Sequence, residues 1–439
     1  MKIVMIGAGY VGLVSGVCFA ELGFAVTCAD IDAGKIGDLE AGRVPIYEPG
    51  LEMLLARGVE EGRLTFTTDI AGAVADADIV FIAVGTPSRH GDGEADLQYV
   101  FAALDTIIPA LKGGVLVAVK STVVVGTCRR IEETIRAARP DLDFAMASNP
   151  EFLREGAAIE DFMRPNRIVV GVSSKAAEET MRRLYRPLNL RETPLVVTTL
   201  ENAELIKYAA NAFLAMKVTF INEIANLCER IEQGDAQEIA RGIGLDNRIG
   251  PKFLHPGPGF GGSCFPKDTR AFVAIGRKAG ARQRLIEEVV SINEARKGEI
   301  AERIAAILRE SGGDTVAVLG LAFKPETDDI REAASLTIVP QLQAAGLKVR
   351  AHDPEAMDSA RQALGGVEWA EDPYHAADGA DLIVILTEWN IYRTLDFAEL
   401  RRRMRRPVMF DTRLIYRADE LEGTGFLYKS VGRPDVDAR

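Results

Sequence analysis

The chain opens with Lys2-Ile3-Val4-Met5-Ile6-Gly7-Ala8-Gly9-Tyr10-Val11-Gly12. Lys2 to Ile6 reads as a short strand, and Val11 to Leu22 has the apolar spacing of a helix. Gly-x-Gly-x-x-Gly between a strand and a helix is a dinucleotide fingerprint. Gly7 permits the tight turn, Gly9 lets a pyrophosphate approach backbone, and Gly12 lets helix and strand pack closely. The helix N-terminus, with Tyr10 and Val11 in its first turn, would support the phosphate charge. A second strand, Ala25 to Ala29, ends at Asp30. An acidic side chain there accepts from a ribose diol and repels a 2′-phosphate, so NAD is expected rather than NADP, with Lys35 on the adenosine side. A bare Gly-x-Gly-x-x-Gly also occurs as an ordinary turn. Strand, helix and acidic residue in this order select the dinucleotide reading.

Outward from this motif the alternation continues. Ile79 to Val84, Val115 to Lys120, Phe144 to Ala147 and Ile168 to Val172 are apolar, strand-sized runs separated by helical spacing, which predicts a parallel sheet covered on both faces. Gly85-Thr86 and Ser121-Thr122 follow two of these strands, at the sheet edge where ligands of such folds bind; each could equally be a plain turn. Glu201 to Ile231 keeps helical spacing without proline or glycine, a helix long enough to join domains, and its apolar residues, with those of Leu285 to Leu308, could form a subunit interface. From Thr315 the alternation resumes, and Ala380 to Leu386 echoes Ala77 to Ala83. Only Gly320 follows the first strand there, so the second sheet lacks the fingerprint and is expected to bind something else. The fold class is α/β: two Rossmann-like doubly wound parallel-sheet domains joined by a long central helix and a helical dimerisation region. The divisions are 1–200 for NAD, 201–300 for the helical region and 301–439 for a second ligand.

With 439 residues, 47% hydrophobic and 26% charged, the chain is ordinary for a soluble globular protein of two or three domains. Its longest apolar runs are too short for a membrane helix, and Met1-Lys2 leads into a strand without a signal-peptide pattern, so a cytoplasmic protein without membrane partners is expected. A net charge of −12 argues against a nucleic-acid partner, and the basic run Arg401 to Arg406 reads as the solvated face of a late helix. Five cysteines without paired spacing, and His90, His255, His352 and His375 without helical pairing, predict reduced thiols and no metal.

Cys18, Cys28, Cys128 and Cys228 sit in apolar contexts. Cys264 alone lies among glycines, in Gly261-Gly262-Ser263-Cys264-Phe265-Pro266-Lys267-Asp268. Pro266 can open a helix, and a helix N-terminus together with the Lys267 ammonium would favour the thiolate that attacks carbonyls. A buried structural cysteine is the plainer alternative. Glu151 and Glu155, in Ser148 to Gly156, lie four apart and could share a helical face, with one acting as a general base; a charged loop is the alternative. Lys207 and Asn211 project from one helical face and could donate to an oxyanion, or form a solvated stripe.

These segments, in order, with Phe323-Lys324-Pro325 and Asp329-Ile330-Arg331, make the chain resemble the nucleotide-sugar 6-dehydrogenases along essentially its whole length. Lys252-Phe253-Leu254 through Gly259-Phe260, Leu319 to Lys324 and Thr387-Glu388-Trp389 fit the UDP-glucose branch better than the GDP-mannose or N-acetylmannosamine branches. The resemblance implies four-electron oxidation of UDP-glucose at C6 with two NAD, through a thiohemiacetal and thioester on Cys264. It implies that Lys207 and Asn211 stabilise oxyanions, Asp268 and Thr122 position water, and Glu151 is the base for hydrolysis. Glu155, Lys267 and Arg331 would lie near the cofactor, with Glu155 also close to the sugar site. Phe152, Leu153, Arg154, Phe253, Leu254, His255, Gly257, Gly259, Phe260, Gly261, Phe323, Lys324 and Arg413 would line the sugar-nucleotide site. Arg248 would reach that of a neighbouring subunit in a homodimer or higher homo-oligomer. Two departures stand out: Val124 replaces the family's usual proline, and Asp411-Thr412-Arg413-Leu414 replaces Asp-Gly-Arg-Asn. The rival readings are a single-step NAD dehydrogenase of small hydroxy acids and an NAD-binding redox sensor.

Overall fold

The structure, a computed structural model, describes residues 1–87, 89, 93, 95–189 and 193–437. His90 lies outside the described residues. The chain divides into two compact units, Met1–Ala210 with Ala274–Gly280, and Asn211–Val273 with Ala281–Arg439. Residues 201–300 are shared between the two.

The first unit is built on eight strands, β1 (Lys2–Ile6), β2 (Ala25–Ala29), β3 (Leu64–Thr67), β4 (Ile79–Ile82), β5 (Val115–Val119), β6 (Phe144–Ser148), β7 (Ile168–Val172) and β8 (Leu195–Thr198). They lie in the order β3-β2-β1-β4-β5-β6-β7-β8. Alternate residues serve opposite faces: Ile3, Met5, Ile79 and Phe81 join one buried cluster, while Val4, Ile6, Val80 and Ile82 join another. Both faces are therefore dry, as near-continuous apolar strands require. The sheet is parallel except between β6 and β7, which run antiparallel. β3 and β8 escape a hydropathy reading because both contain threonines and β8 is only part-buried.

The second unit holds a seven-stranded sheet, β9 (Thr315–Leu319), β10 (Lys348–His352), β11 (Val367–Trp369), β12 (Leu382–Ile385), β13 (Val408–Asp411), β14 (Leu427–Ser430) and β15 (Val436–Asp437). Its order, β11-β10-β9-β12-β13-β14-β15, repeats that of the first sheet over all seven strands. Val316, Val318 and Val384 face one apolar cluster, and Ala317, Leu319 and Ile383 the other. Among the described residues of this sheet, β14 and β15 alone pair antiparallel.

The long helix runs Leu200–Cys228 and a second runs Arg284–Ser311. Among the described residues no helix is long and apolar enough to cross a membrane. The basic run is neutralised within its own unit: Arg402 and Arg403 pair with Glu399, and Arg405 and Arg406 pair with Asp381. The helix there ends at Arg403, so the run covers a helix end and a turn rather than one face.

Candidate active site

In the first unit, Gly7 adopts φ +100°, and an added Cβ would lie 2.9 Å from the Ala83 carbonyl oxygen. At Gly12 it would stand 1.9 Å from the Gly7 carbonyl oxygen, so only hydrogen fits. Gly9, at the head of the helix Tyr10–Glu21, faces open space: nothing lies within 4 Å of its missing side chain. That is the shape a pyrophosphate needs at a helix N-terminus. Asp30, at the end of β2, accepts from the Ala8 N–H at 2.8 Å and from Lys35 Nζ at 3.0 Å. Burial works against its charge, but these bonds and one from the Asp32 N–H outweigh it and hold the carboxyl below its ordinary range. The residues present fit NAD. Thr86 Oγ1 donates to the Thr122 carbonyl at 2.9 Å and Ser121 Oγ to the Val84 carbonyl at 2.6 Å, so the loops after β4 and β5 are tied together.

The segment after β6 is a loop, not the helix that the spacing of Glu151 and Glu155 suggests. Pro150 and Gly156 bound it, and Glu151 is turned inward: it is buried, accepts from the Leu153 N–H, and pairs with Lys207 Nζ at 3.1 Å. Phe152 lies beneath two cations, Arg167 at 3.7 Å and Lys207 at 5.2 Å from its ring centre. Arg154 faces solvent and pairs with Asp161. Lys207 is therefore no surface stripe; it is buried, as is Asn211 one turn on.

In the second unit, Cys264 immediately precedes the helix Phe265–Lys278, whose Asp268 N–H bonds the Cys264 carbonyl at 2.8 Å. The thiol thus stands at a helix N-terminus, where the macrodipole favours negative charge. Asp268 is fully buried and accepts from Asn211 Nδ2 at 2.6 Å and from Lys267 Nζ at 2.5 Å. The Lys267 ammonium is therefore paired with its neighbour Asp268. All five cysteines are unbridged, and Cys264 alone is not buried. Burial pushes the Cys18 and Cys28 thiols up to about 12, and those of Cys128 and Cys228 upward.

The glycine loop ahead of Cys264 is pressed onto its surroundings. A Cβ on Gly262 would stand 2.8 Å from the Phe323 ring, one on Gly261 2.4 Å from the Glu332 carbonyl oxygen, and one on Gly257 2.8 Å from Arg413 Nη1. Gly257, Phe323 and Arg413 are thereby brought together. Arg413 also donates to the carbonyls of Leu386 and Phe323 at 2.7 and 3.2 Å, so its changed loop still points it inward. Lys324 Nζ lies 5.7 Å from the Phe323 ring centre, and Leu254 and Phe260 are buried. His255 and Arg248 are exposed, with Arg248 paired to Asp246, and Arg331 pairs with Asp329. Four non-glycine residues with left-handed backbone, Phe253, Glu326, Glu332 and Leu414, flank these same loops. Strain of this kind collects at functional sites.

Several supports were not read from sequence. Glu204 accepts from the Gly126 and Cys128 N–H groups at 2.6 and 2.7 Å, capping the helix behind Thr122. Burial raises its carboxyl above the ordinary range. Glu48 accepts from Tyr10 Oη, and from the Gly156 and Ala158 N–H groups at 2.7 Å each, joining the fingerprint loop to the loop of Glu155. Asn222 accepts from the Gly257 N–H at 2.9 Å, Asn293 from the Phe260 N–H at 2.7 Å, and Arg296 donates to the Gly257 carbonyl at 2.6 Å. Asn222 follows Asn211 by eleven residues, three helical turns, so the polar face of Lys207 and Asn211 continues to it. Among the described residues no group of three or more His, Cys, Asp or Glu is gathered to hold a metal ion.

Models of three domains match in this order: the NAD binding domain of the UDP-glucose/GDP-mannose dehydrogenase family at residues 1–189, its central domain at 201–295 and its UDP binding domain at 317–418. The chain belongs to the UDP-glucose/GDP-mannose dehydrogenase family. It is an NAD-dependent dehydrogenase. A UDP-glucose 6-dehydrogenase of Rhizobium meliloti (strain 1021) is 56% identical over 438 residues, covering 99% of this chain and 100% of that one. A solved UDP-glucose dehydrogenase from Pyrobaculum islandicum superposes with TM-score 0.90 at 40% identity, covering 98% of each chain. A UDP-D-ManNAc dehydrogenase from Pyrococcus horikoshii reaches 0.87 at 26%, covering 99% and 100%. Within this family, then, the fold alone does not select the sugar.

Proposed function

We propose that the protein oxidises UDP-glucose at C6 to UDP-glucuronate through a covalent intermediate on Cys264. The observation that carries the reading is the position of Cys264: an accessible thiol at a helix start, on a glycine loop packed against Phe323. The near-full-length likeness to a UDP-glucose 6-dehydrogenase supports the substrate.

NAD, held by Gly7 to Gly12 and Asp30, supplies hydride acceptance when bound, twice per turnover. The chain's own residues supply the rest. Cys264 adds through sulfur to the C6 aldehyde, giving a thiohemiacetal whose oxygen takes a proton, so the aldehyde cannot escape. Lys207 and Asn211 donate to the oxygen where negative charge develops. After the second oxidation the carbonyl carbon is joined to Cys264 as a thioester. Water attacks that carbon, Glu151 takes the proton of the water, and the carbon–sulfur bond breaks to return the thiolate. Asp268 and Thr122 position the water. Leu254, Phe260, Phe323, Lys324 and Arg413 line the nucleotide-sugar subsite.

A homodimer fits the same reading. Phe213, Phe220 and Leu227 recur every seven residues along the long helix and are 56%, 48% and 54% exposed. A stripe of that size is the kind of face a second copy covers, with exposed Arg248 nearby in sequence.

Cys264→Ser tests the covalent step. Acid formation should fall by roughly a thousandfold or more, as for loss of other catalytic nucleophiles. Mass spectrometry of the wild-type protein caught during turnover should show a nucleotide-sugar adduct on the peptide containing Cys264. Undiminished acid production by the variant would contradict the proposal.

A further inference from the structure

Lys120 is the least expected side chain of the first unit. It follows β5 directly, is 3% exposed, and extends beneath the sheet edge between the rings of Phe81 and Phe162, each 5.9 Å from its Nζ. Its one hydrogen bond among the described residues goes to Asn149 Oδ1 at 3.3 Å, an oxygen that also accepts from Tyr185 Oη at 2.5 Å. An ammonium has three protons to place, and a buried one held by a single long bond is poorly satisfied. Lys120, Asn149, Tyr185, Asp161, Arg167 and Glu151 line one cavity of about 40 Å³. That space admits a bridging water between Lys120 and Glu151. Lys120 and Lys207 thus both act on Glu151, Lys207 through direct contact at 3.1 Å.

We propose that Lys120 is a positioning residue for thioester hydrolysis: a second counter-ion that keeps Glu151 ionised when Lys207 turns to the substrate oxygen. This rests on the proposed function. Lys207 is asked to do two things, to neutralise Glu151 and to stabilise an oxyanion. Drawing it away would leave a buried carboxylate unpaired, a costly state unless another cation is at hand. Lys120 supplies that cation from the cavity it lines together with Glu151. The groups facing it are Glu151, Lys207, the Cys18 thiol on the first helix, Tyr185, and Asp161 and Arg167 across the cavity. Burial pulls the Lys120 ammonium down to about 8, so it remains largely charged at neutral pH.

The test uses Lys120→Gln and Lys120→Met, with Tyr185→Phe as the control that removes a hydrogen bond from Asn149 without changing charge. UDP-glucose and NAD are given to each full-length protein. Both Lys120 variants should lose about tenfold or more in kcat with little change in KM, and should accumulate the Cys264 acyl adduct by mass spectrometry. With one cation fewer beside the base, the acid limb of the hydrolysis rate should move to higher pH. Tyr185→Phe should leave that limb in place. A wild-type limb and no adduct in the Lys120 variants would overturn the inference, as would an equal shift in Tyr185→Phe. If the wild-type protein forms no acid from UDP-glucose, the proposed function fails instead, and the two failures are told apart.

Discussion

The two sheets share an order, yet their first turns solve opposite problems. After β1 the chain turns at Gly7 and enters a helix at Tyr10, leaving the space beside Gly9 open. After β9 it turns at Gly320, whose missing side chain is faced by Thr387, with Thr387 Cβ only 2.4 Å from where a Cβ would stand. The next helix there, Ser335–Ala344, begins fifteen residues on. Between lies the loop that carries Phe323, Lys324 and Arg331. Asp353, the counterpart of Asp30 at the end of β10, accepts from the Leu321 and Ala322 N–H groups at 2.6 and 3.0 Å and from Trp389 Nε1 at 3.1 Å. Asp30 accepts in the same way from the Ala8 N–H at 2.8 Å, so both turns hold a carboxylate at the end of the second strand. They differ in what stands beside them: open space at Gly9 in one, the Thr387 side chain against Gly320 in the other.

The largest way to break the comparison is Gly12→Ala. With 1.9 Å to the Gly7 carbonyl oxygen, the added methyl should abolish measurable NAD binding by calorimetry and leave UDP binding to the second sheet unchanged. Next is Asp353→Asn. Losing the charge of a carboxylate that accepts from five donors should lower unfolding stability by about 2–3 kcal/mol and weaken UDP binding, with NAD affinity retained. Equal loss of both ligands in either variant would mean that the two turns are not independent.

The smallest effect sharpens the comparison at the level of buried charge. Asp411 in the second sheet is fully buried and raised by that burial, but Arg413, Ile415 and Tyr416 N–H groups and Tyr428 Oη all donate to it. Lys120, beside the first sheet, has one hydrogen bond among the described residues. Burial pulls its pKa in the folded chain down to about 8, below that of an ordinary lysine, so the unfolded chain holds the proton more tightly between those values. Stability should therefore rise with pH through that window. Below it, Lys120→Met should be more stable than wild type by roughly 1–3 kcal/mol, and denaturant titrations should show the gap closing above pH 8.

Much of this was legible in sequence because it is local. β1, the fingerprint, Asp30 and the helix behind Cys264 are set by residues within a few positions of one another. The long helix was legible from its period, and with it Lys207 and Asn211. What escaped was non-local. Glu48 sits 108 residues from the Gly156 N–H it receives, and Glu204 sits 78 from Gly126. Lys120 read as the end of a strand because only tertiary packing places it beside Glu151. For Glu151 and Glu155 a helix face and a charged loop both stayed open, because spacing alone cannot tell a helix from a loop closed by buried polar contacts.

The most direct test of the central claim is the NADH yield from limiting UDP-glucose, with GDP-mannose and UDP-N-acetylmannosamine run alongside. Two equivalents of NADH for each UDP-glucose, and none from the others, is the predicted result. One equivalent would mean that the aldehyde leaves and Cys264 holds nothing, which would contradict the covalent route.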